Sequence, residues 1–412
     1  MAGGAGQWAV QGRIVGVEHG IDVLDPVARD VERRHRHGDA VLPGRLPGPD
    51  GRWSPTSRRY AGPDAGRSPE RAAAQAVRSL LRSFSAAPLE GVLAVTDGQR
   101  IPVIIDCDTG VDDALALLFA VRHPALDVRA ITCVAGNTDV DGVVRNTLTV
   151  LEVAGAGDIP VARGAERPLI EPVRTARHVH GQDGMADLRL PAPTRVPVDV
   201  DAVTLLRREI LASPRPVTLI PMAPLTNIAL LLRTHPEVTR NIERIVFMGG
   251  AVATGNATPV AEFNVWHDPE AAAVLLTAGV PITMYGLDVF KKVLVPAGEV
   301  QRLRASAEPS LRMAGELLAH RDPATSGDPT PMGGLGDAGA VCAVVDPKGL
   351  TTERLPVEVV LAPGPARGQT IVDRRPVPGE SEIHEGMREQ PLVEVALDVD
   401  VERYVNLYLQ TV

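Results

Sequence analysis

The feature that most constrains the fold is a repeated alternation of short apolar strands with longer helical segments, beginning near residue 100. The run IPVIID (101–106) is rich in β-branched residues, and VDDALALLFAVRH (111–123) then places Leu115, Leu118 and Phe119 at helical spacing. Similar strand and helix segments follow at 128–134, 143–155, 217–233, 243–250, 268–279 and 281–287. This order predicts an α/β fold with a mostly parallel, Rossmann-like sheet flanked by helices.

In a sheet of this type, ligands bind beyond the carboxyl ends of the strands. The loops after Asp106, Val134, Ile220 and Met248 are therefore expected to surround one crevice. We therefore expect the functional side chains to lie in these loops.

Residues 1–98 differ from this domain because they are rich in glycine, proline and arginine and show little periodicity. We expect a poorly ordered N-terminal extension there, followed by one domain at 99–412. Within the extension, the segment 68–84 has the start signals of a helix, with Ser68 as N-cap and Pro69 after it. Whether the extension belongs to the native protein is left open.

Composition and charge exclude several classes of protein. The net charge of −9 argues against a nucleic-acid-binding surface, which needs a basic face. No apolar run approaches the ~20 residues of a membrane helix, and the first residues lack the features of a secretory signal. Three isolated cysteines, Cys107, Cys133 and Cys342, form no CxxC pair, so we expect buried thiols and a cytoplasmic location.

The stretch IIDCDTGVDDA (104–114) places four aspartates, Asp106, Asp108, Asp112 and Asp113, at a strand-to-helix junction where Gly110 permits a tight turn. A simpler explanation is that Asp112 caps the helix and Asp113 complements its dipole. That explanation accounts for one or two carboxylates, but not for four on one loop. Crowded carboxylates raise one another's pKa unless a cation neutralises them, and an all-oxygen cluster favours Ca²⁺ or Mg²⁺.

This stretch resembles the DxDxGxDD signature of the inosine-uridine nucleoside hydrolase family, and further motifs follow in the family's order over residues 100–412. They are VAGN (134–137), HGQDG (180–184), PMAPLTNIA (221–229), MGG (248–250), GNATPVAEFNVWHDPEAA (255–272), GLD (286–288) and RGQTIVDRR (367–375). The resemblance implies a nucleoside hydrolase-like fold with one Ca²⁺ at the bottom of the pocket. It also implies an N-ribosyl hydrolase that cleaves a small-molecule nucleoside into ribose and free base, and a homodimer or homotetramer.

The resemblance further implies roles for individual residues. Asp108 matches the base that deprotonates the attacking water and is also a Ca²⁺ ligand. Asp113 matches a bidentate ligand, Asp337 a distant ligand, and Met222 the residue that gives its backbone carbonyl to the metal. Asp112 matches the residue that binds the ribose hydroxyls. The remaining matches are a supporting carboxylate (Asp106), a residue beneath the sugar (Met248) and ribose-binding polar residues (Asn137, Asn256, Glu262 and Asn264).

Local spacing adds one expectation about the EFN triplet. If that segment is extended, Glu262 and Asn264 lie on one side and face the sugar, whereas Phe263 faces the core.

One position departs from the family's pattern. In the best-known branch a histidine precedes the late metal-binding aspartate and protonates the leaving base, but this chain has Gly336 there. Losing a general acid costs on the order of 10²–10⁴ in rate unless another group serves. Two histidines are candidates. His180 is either a base contact or a plain surface histidine. For His267, helix capping beside Asp268 is favoured. Trp266 is expected in the core rather than as a base-stacking platform.

These departures leave the leaving group open between a purine, a pyrimidine and a non-nucleoside ribosyl compound. Two other functions compete with the hydrolase. A haloacid-dehalogenase-like phosphohydrolase would use DCDTG (106–110) as its nucleophile loop, but Lys291 and Lys292 lie in no matching context. A non-catalytic ribosyl-binding protein would retain the metal site without the acid.

Overall fold

The computed structural model describes residues 100–320, 333–377, 379–386 and 390–412. The expected N-terminal extension (1–98) and its helix at 68–84 lie outside the described residues.

Within the described residues, nine strands form one sheet. They are β1 (Ile101–Cys107), β2 (Leu126–Cys133), β3 (Val161–Arg163), β4 (Val217–Pro221), β5 (Ile242–Met248), β6 (Ile282–Tyr285), β9 (Leu350–Val359), β10 (Thr370–Val372) and β11 (Leu392–Val399), with a separate antiparallel pair, β7 (Leu294–Val295) and β8 (Gly333–Gly334). The strand order in the sheet is β10-β9-β11-β6-β5-β4-β1-β2-β3. Strands β1 to β6 are parallel to one another and β11 is parallel to β6, while β9 is antiparallel to β11 and β10 is antiparallel to β9. The mostly parallel sheet predicted from the sequence is thereby confirmed.

Helices connect the strands and flank the sheet. They are α1 (Val111–Arg122), α2 (Val140–Val153), α3 (Arg177–His180), α4 (Ala202–Ala212), α5 (Thr226–Thr234), α6 (Phe263–His267), α7 (Pro269–Leu276), α8 (Leu287–Phe290), α9 (Ala297–Arg304), α10 (Pro309–Ala319), α11 (Ala338–Val345), α12 (Glu380–Glu385) and α13 (Val401–Thr411). No helix in the described part of the chain is long and apolar enough to cross a membrane.

The core lies on both faces of the sheet. Alternate residues of β1 belong to two different apolar clusters: Ile105 packs with α1, α2 and α11, whereas Ile104 packs with α4, α5 and α7. Each fully buried side chain of this size contributes about 1.5–3 kcal/mol relative to the exposed state. Because β1 lies between β4 and β2 and is buried on both faces, its carboxyl end is a rigid place from which to project functional groups.

Candidate active site

The β1–α1 corner is closed by the side chain of Asp113. Its Oδ2 accepts a hydrogen bond from the backbone N–H of Gly110 at 2.9 Å, and its Oδ1 accepts one from that of Asp108 at 3.2 Å. Asp113 lies in the first turn of α1, so its bond from Gly110 satisfies the N–H of the N-cap residue, while its bond from Asp108 holds the loop before the helix. Capping thus explains the bonds of Asp113, but it does not explain the aspartates around it.

Asp108 is 1% exposed and is held by the loop that follows β2. The backbone N–H of Asn137 donates to its Oδ2 at 2.8 Å, and the Asn137 side-chain amide donates to Asp113 at 3.1 Å. The loop approaches so closely that a Cβ at Gly136 would lie 2.0 Å from Asp108 Oδ2. Only glycine fits there, so the VAGN motif positions both carboxylates.

Asp337 reaches this corner from far along the chain, as the family resemblance implied. It stands at the start of α11 and is 3% exposed. Carboxylate oxygens of Asp112, Asp113 and Asp337 all lie within 4.8 Å of one another. This group contains Asp112, for which the resemblance implies ribose binding, rather than Asp108, the expected base and ligand.

Burial and mutual repulsion disfavour the charged forms of these carboxylates. Burial, followed by the charge of Asp112, raises the pKa of Asp113 to about 7. Burial and neighbouring carboxylates also hold the pKa values of Asp108 and Asp337 well above their usual range. A buried group of this kind loses its energetic penalty when a cation is shared among its members. The residues therefore fit an oxygen-liganded divalent ion.

A second set of polar groups lies at the ends of β4 and β5. The backbone N–H of Met222 donates to the carbonyl of Asp106 at 2.8 Å, which fixes Met222 beside β1. The Asn264 side-chain amide donates to the carbonyl oxygens of Met222 at 3.0 Å and Met248 at 3.2 Å. The structure thus brings together three residues to which the family resemblance gives roles in the pocket.

The EFN triplet is not extended, so that expectation is wrong. Glu262 is the N-cap of α6, and its carboxylate accepts hydrogen bonds from the N–H groups of Asn264, Val265 and Gly250 at 2.8, 3.1 and 3.0 Å. These hydrogen bonds to the capping carboxylate stabilise the start of a helix, and an extended chain would not make them. Phe263 is consequently only partly buried and does not face the core.

Glu262 and Asn264 are nevertheless both buried. Burial raises the pKa of Glu262 to about 7, and the charge of Asp112 adds to the shift. Asn256 is exposed, and its side-chain oxygen accepts a hydrogen bond from the Phe263 backbone at 2.9 Å.

Asp106 is supported by Asn227, a residue to which the sequence analysis gave no role. Asp106 Oδ1 accepts hydrogen bonds from Thr132 Oγ1 at 2.5 Å and from Asn227 Nδ2 at 2.8 Å. Asn227 also donates to the carbonyl of Cys133 at 3.0 Å and accepts from Ala165 N–H at 2.9 Å. Burial raises the pKa of Asp106 to about 7. The only signal in the sequence was the position of Asn227 within PMAPLTNIA, directly after β4.

The two positions that bear on the leaving group both contact α1. His180, on α3, accepts a hydrogen bond at Nδ1 from the Val111 backbone at 3.2 Å and lies 3.7 Å from Asp112 Oδ1. Its side chain is only 12% exposed, so it is not a plain surface histidine. Gly336 has a φ of +54°, and a Cβ there would lie 2.5 Å from the Cβ of Asp112. This backbone has no room for a histidine at 336.

Two further expectations fail near α6. The cap of α7 is Asp268, which accepts from Ala271 N–H, rather than His267. His267 is buried and packs edge-on against Phe263 at 5.3 Å between ring centroids. Trp266 is only partly buried, and the guanidinium of Arg174 lies 4.1 Å from its ring centroid, so it is not a core residue.

The carboxylate group lies at the carboxyl end of β1, which is where proteins with an open parallel α/β sheet bind their ligands. Residues 103–406 match the family model of inosine-uridine preferring nucleoside hydrolases. The chain belongs to this family, whose members are N-ribosyl hydrolases. Membership removes the phosphohydrolase alternative.

Individual relatives agree with this assignment. The chain is 39% identical over 314 residues to the pyrimidine-specific ribonucleoside hydrolase RihA of Citrobacter koseri, covering 75% of this chain and 97% of that protein. Among solved structures, it resembles the plant nucleoside hydrolase PpNRh1 with a TM-score of 0.68 and 31% identity, over 76% of this chain and 98% of the other. It also resembles a purine-preferring ribonucleoside hydrolase from Gardnerella vaginalis, with a TM-score of 0.67 and 30% identity, over 75% and 97% of the two chains.

Proposed function

We propose that this enzyme hydrolyses the N-glycosidic bond of ribonucleosides to ribose and free base, in a calcium-dependent reaction in which Asp108 activates the attacking water. The observation that carries the proposal is the convergence of Asp112, Asp113 and Asp337 at the carboxyl end of β1, with Asp108 in the same corner. Capping explains Asp113, but among the described residues it does not explain why Asp112 and Asp337 lie beside it.

The donor set fits Ca²⁺. All its members are oxygen atoms, and Ca²⁺ accepts six to eight oxygen ligands in flexible geometry. Asp108, Asp113, Asp337 and the Met222 carbonyl are the ligands we propose, and the position of Asp112 makes its carboxylate a further candidate. When bound, the ion would neutralise the carboxylates, orient the sugar hydroxyls and lower the pKa of a water.

Asp108 is suited to act as the base. One of its oxygens is fixed by the Asn137 N–H, so the carboxylate has a defined orientation. Burial strengthens its affinity for a proton, which is the property that a general base needs. The positive charge of the metal would lower the pKa of Asp108 again, toward the working pH.

The surrounding residues would hold the sugar and favour its oxocarbenium-like transition state. Buried carboxylates act strongly on developing positive charge because little water screens them. Fixing the ribose beside a water also makes the attack effectively intramolecular. The residues that we assign to ribose binding are Asp112, Asn137, Met248, Asn256, Glu262 and Asn264, with Asp106 supporting the loop.

For the leaving group, we assign the base contact to His180 because it lies over the start of α1 beside Asp112. Pyrimidine ribonucleosides are the first substrates to assay, since the relative of 39% identity is pyrimidine-specific, and purine ribonucleosides are the second. A homodimer or homotetramer stays a prediction.

The test is release of reducing sugar from a panel of nucleosides, with Ca²⁺ or with a chelator. We expect ribose release that requires Ca²⁺ and falls by at least about 10³-fold in Asp108→Ala, the order of loss expected for a missing base and ligand. Asp158→Asn, which removes an exposed carboxylate, is the matched control. Tight nucleoside binding without turnover by the unaltered protein would instead establish the ribosyl-binding alternative.

A further inference from the structure

Asn146, on α2, joins two loops with a single side-chain amide. Its Nδ2 donates to the carbonyl of Thr109 at 3.1 Å and to the carbonyl of Asp183 at 2.8 Å. Both partners are acceptors, so the bonds fix which end of the amide is nitrogen. Asn146 is 5% exposed, and an amide buried in this way is costly to leave without partners.

The two loops belong to different halves of the proposed site. Thr109 lies between Asp108 and Gly110, in the loop that carries the proposed base. Asp183 lies three residues after His180, in the loop that we assign to the leaving group. Asn146 therefore spans from the carboxylate side to the leaving-group side.

Neighbouring contacts make this link specific. The next residue of α2, Thr147, lies 2.6 Å from Thr109 through their hydroxyl oxygens, so the helix holds both the side chain and the backbone of Thr109. On the other side, Gly184 has a φ of +79°, and a Cβ there would lie 3.0 Å from Asn146 Nδ2. The second loop thus approaches the amide as closely as its backbone allows.

The opposite end of the leaving-group loop is anchored elsewhere. Arg177 donates to Thr138 Oγ1 at 3.0 Å and to Asp139 Oδ2 at 2.6 Å, before His180 in the chain. The Asn146 contact comes after His180. Removing the Asn146 contact would free the segment after His180, while the Arg177 contacts before His180 remain. The expected change is therefore local and does not unfold the protein.

We propose that Asn146 is a positioning residue that sets the distance between the Asp108 loop and the His180 loop. Among the described residues its side-chain amide has hydrogen bonds to Thr109 and Asp183 and none to a proposed metal ligand, so it acts through these two loops. The proposal rests on the proposed function, because it assigns the two loops to opposite ends of the bond that is broken. A misplacement of about 1 Å between such groups can cost on the order of 10²-fold in rate.

The test compares Asn146→Ala and the isosteric Asn146→Asp with Thr149→Ala. Thr149 lies on the same helix and is also buried, but its hydroxyl bonds only to the Arg145 carbonyl of its own helix, at 2.9 Å, among the described residues. Each variant is assayed with uridine and with 4-nitrophenyl β-D-ribofuranoside, whose phenolate departs without protonation. Calcium affinity by calorimetry and the unfolding temperature are measured on the same samples.

We expect kcat for uridine to fall by about 10²-fold in both Asn146 variants, at least about tenfold more than for the nitrophenyl riboside, with little change in calcium affinity. Thr149→Ala should match the unaltered protein. Equal losses on both substrates, or none, would overturn the proposal while leaving the proposed function intact. If the unaltered enzyme cleaves no nucleoside, the proposed function and the proposed role of Asn146 are both wrong. Should Asn146→Ala not fold, Asn146→Asp, which keeps the volume, decides.

Discussion

Gly336 packs directly against the side chain of Asp112. A Cβ at position 336 would lie 2.5 Å from Asp112 Cβ and 2.8 Å from its Oδ2, and the backbone there has a positive φ. The position at which the resemblance led us to look for a histidine acid therefore has neither the space nor the backbone conformation for one. Its glycine instead lets Asp112 approach Asp337.

Gly336→His is accordingly expected to lower activity rather than restore an acid. A side chain in the left-handed region costs about 1–2 kcal/mol, and the overlap would displace Asp112 from the carboxylate group. We expect Gly336→Ala and Gly336→His both to lower kcat/KM at least about tenfold. The control is Gly334→Ala, because a Cβ there meets only Leu294 Cδ2, at 3.8 Å. A more active histidine variant would refute this account.

The metal-free protein should lose stability as the pH rises. The pKa of Asp113 is about 7 in the folded state, above the ordinary value of 3.8, so the folded protein binds more protons than the unfolded chain between these values. The stability that protonated Asp113 contributes to the folded state is fully present below about pH 4 and is lost as the pH rises through about 7. Calcium bound as proposed would remove this penalty and would compete with protons for the carboxylates. We expect Ca²⁺ to raise the unfolding temperature more at pH 8 than at pH 5; an equal rise at both would contradict the model.

Asn227→Ala should destabilise the enzyme through Asp106. It removes two donated bonds and leaves a buried carboxylate and the Cys133 carbonyl short of partners. Leaving such a group unsatisfied costs about 1–3 kcal/mol. Chemical denaturation should report a loss of this size. Thr234→Ala, on the same helix but exposed, is the control. If the two variants were equally stable, the Asn227 contacts would not matter energetically.

His267 should make stability fall in acid. Burial lowers its pKa to about 4 from 6.5, and neither ring nitrogen has a hydrogen-bond partner among the described residues. The unfolded histidine gains its proton first, so stability is lost as the pH falls from about 6.5 toward 4. With Ca²⁺ present, His267→Leu should reduce the loss between pH 7 and 5 by roughly 1–2 kcal/mol. The exposed His178→Gln should leave that slope unchanged, and a slope unchanged in both variants would argue against His267.

Much of this architecture was predictable from the sequence. Strand β1, the turn at Gly110 and helix α1 followed from periodicity within one or two residues, because a buried central strand must be continuously apolar. The approach of Asp337 came instead from the family resemblance. No local pattern reveals which distant residue a sheet will bring to its edge.

The failures have physical causes. The EFN triplet was expected to be extended from residue alternation, but the Glu262 carboxylate accepts hydrogen bonds from the Asn264 and Val265 N–H groups and so caps a helix. Asn227 and Asn146 were missed because their partners are mostly carbonyls and a carboxylate of other segments, which depend on tertiary packing. Side-chain bonds of that kind leave no periodic trace.

The carboxylate group takes two members from α1 and its third from the start of α11, late in the chain. During translation, Asp112 and Asp113 leave the ribosome long before Asp337 is made. A nascent chain that has completed only β1 and α1 therefore lacks the third carboxylate of this group. It would retain the proposed Ca²⁺ poorly. Metal uptake would therefore follow docking of α11, so a truncated product would be unable to load it.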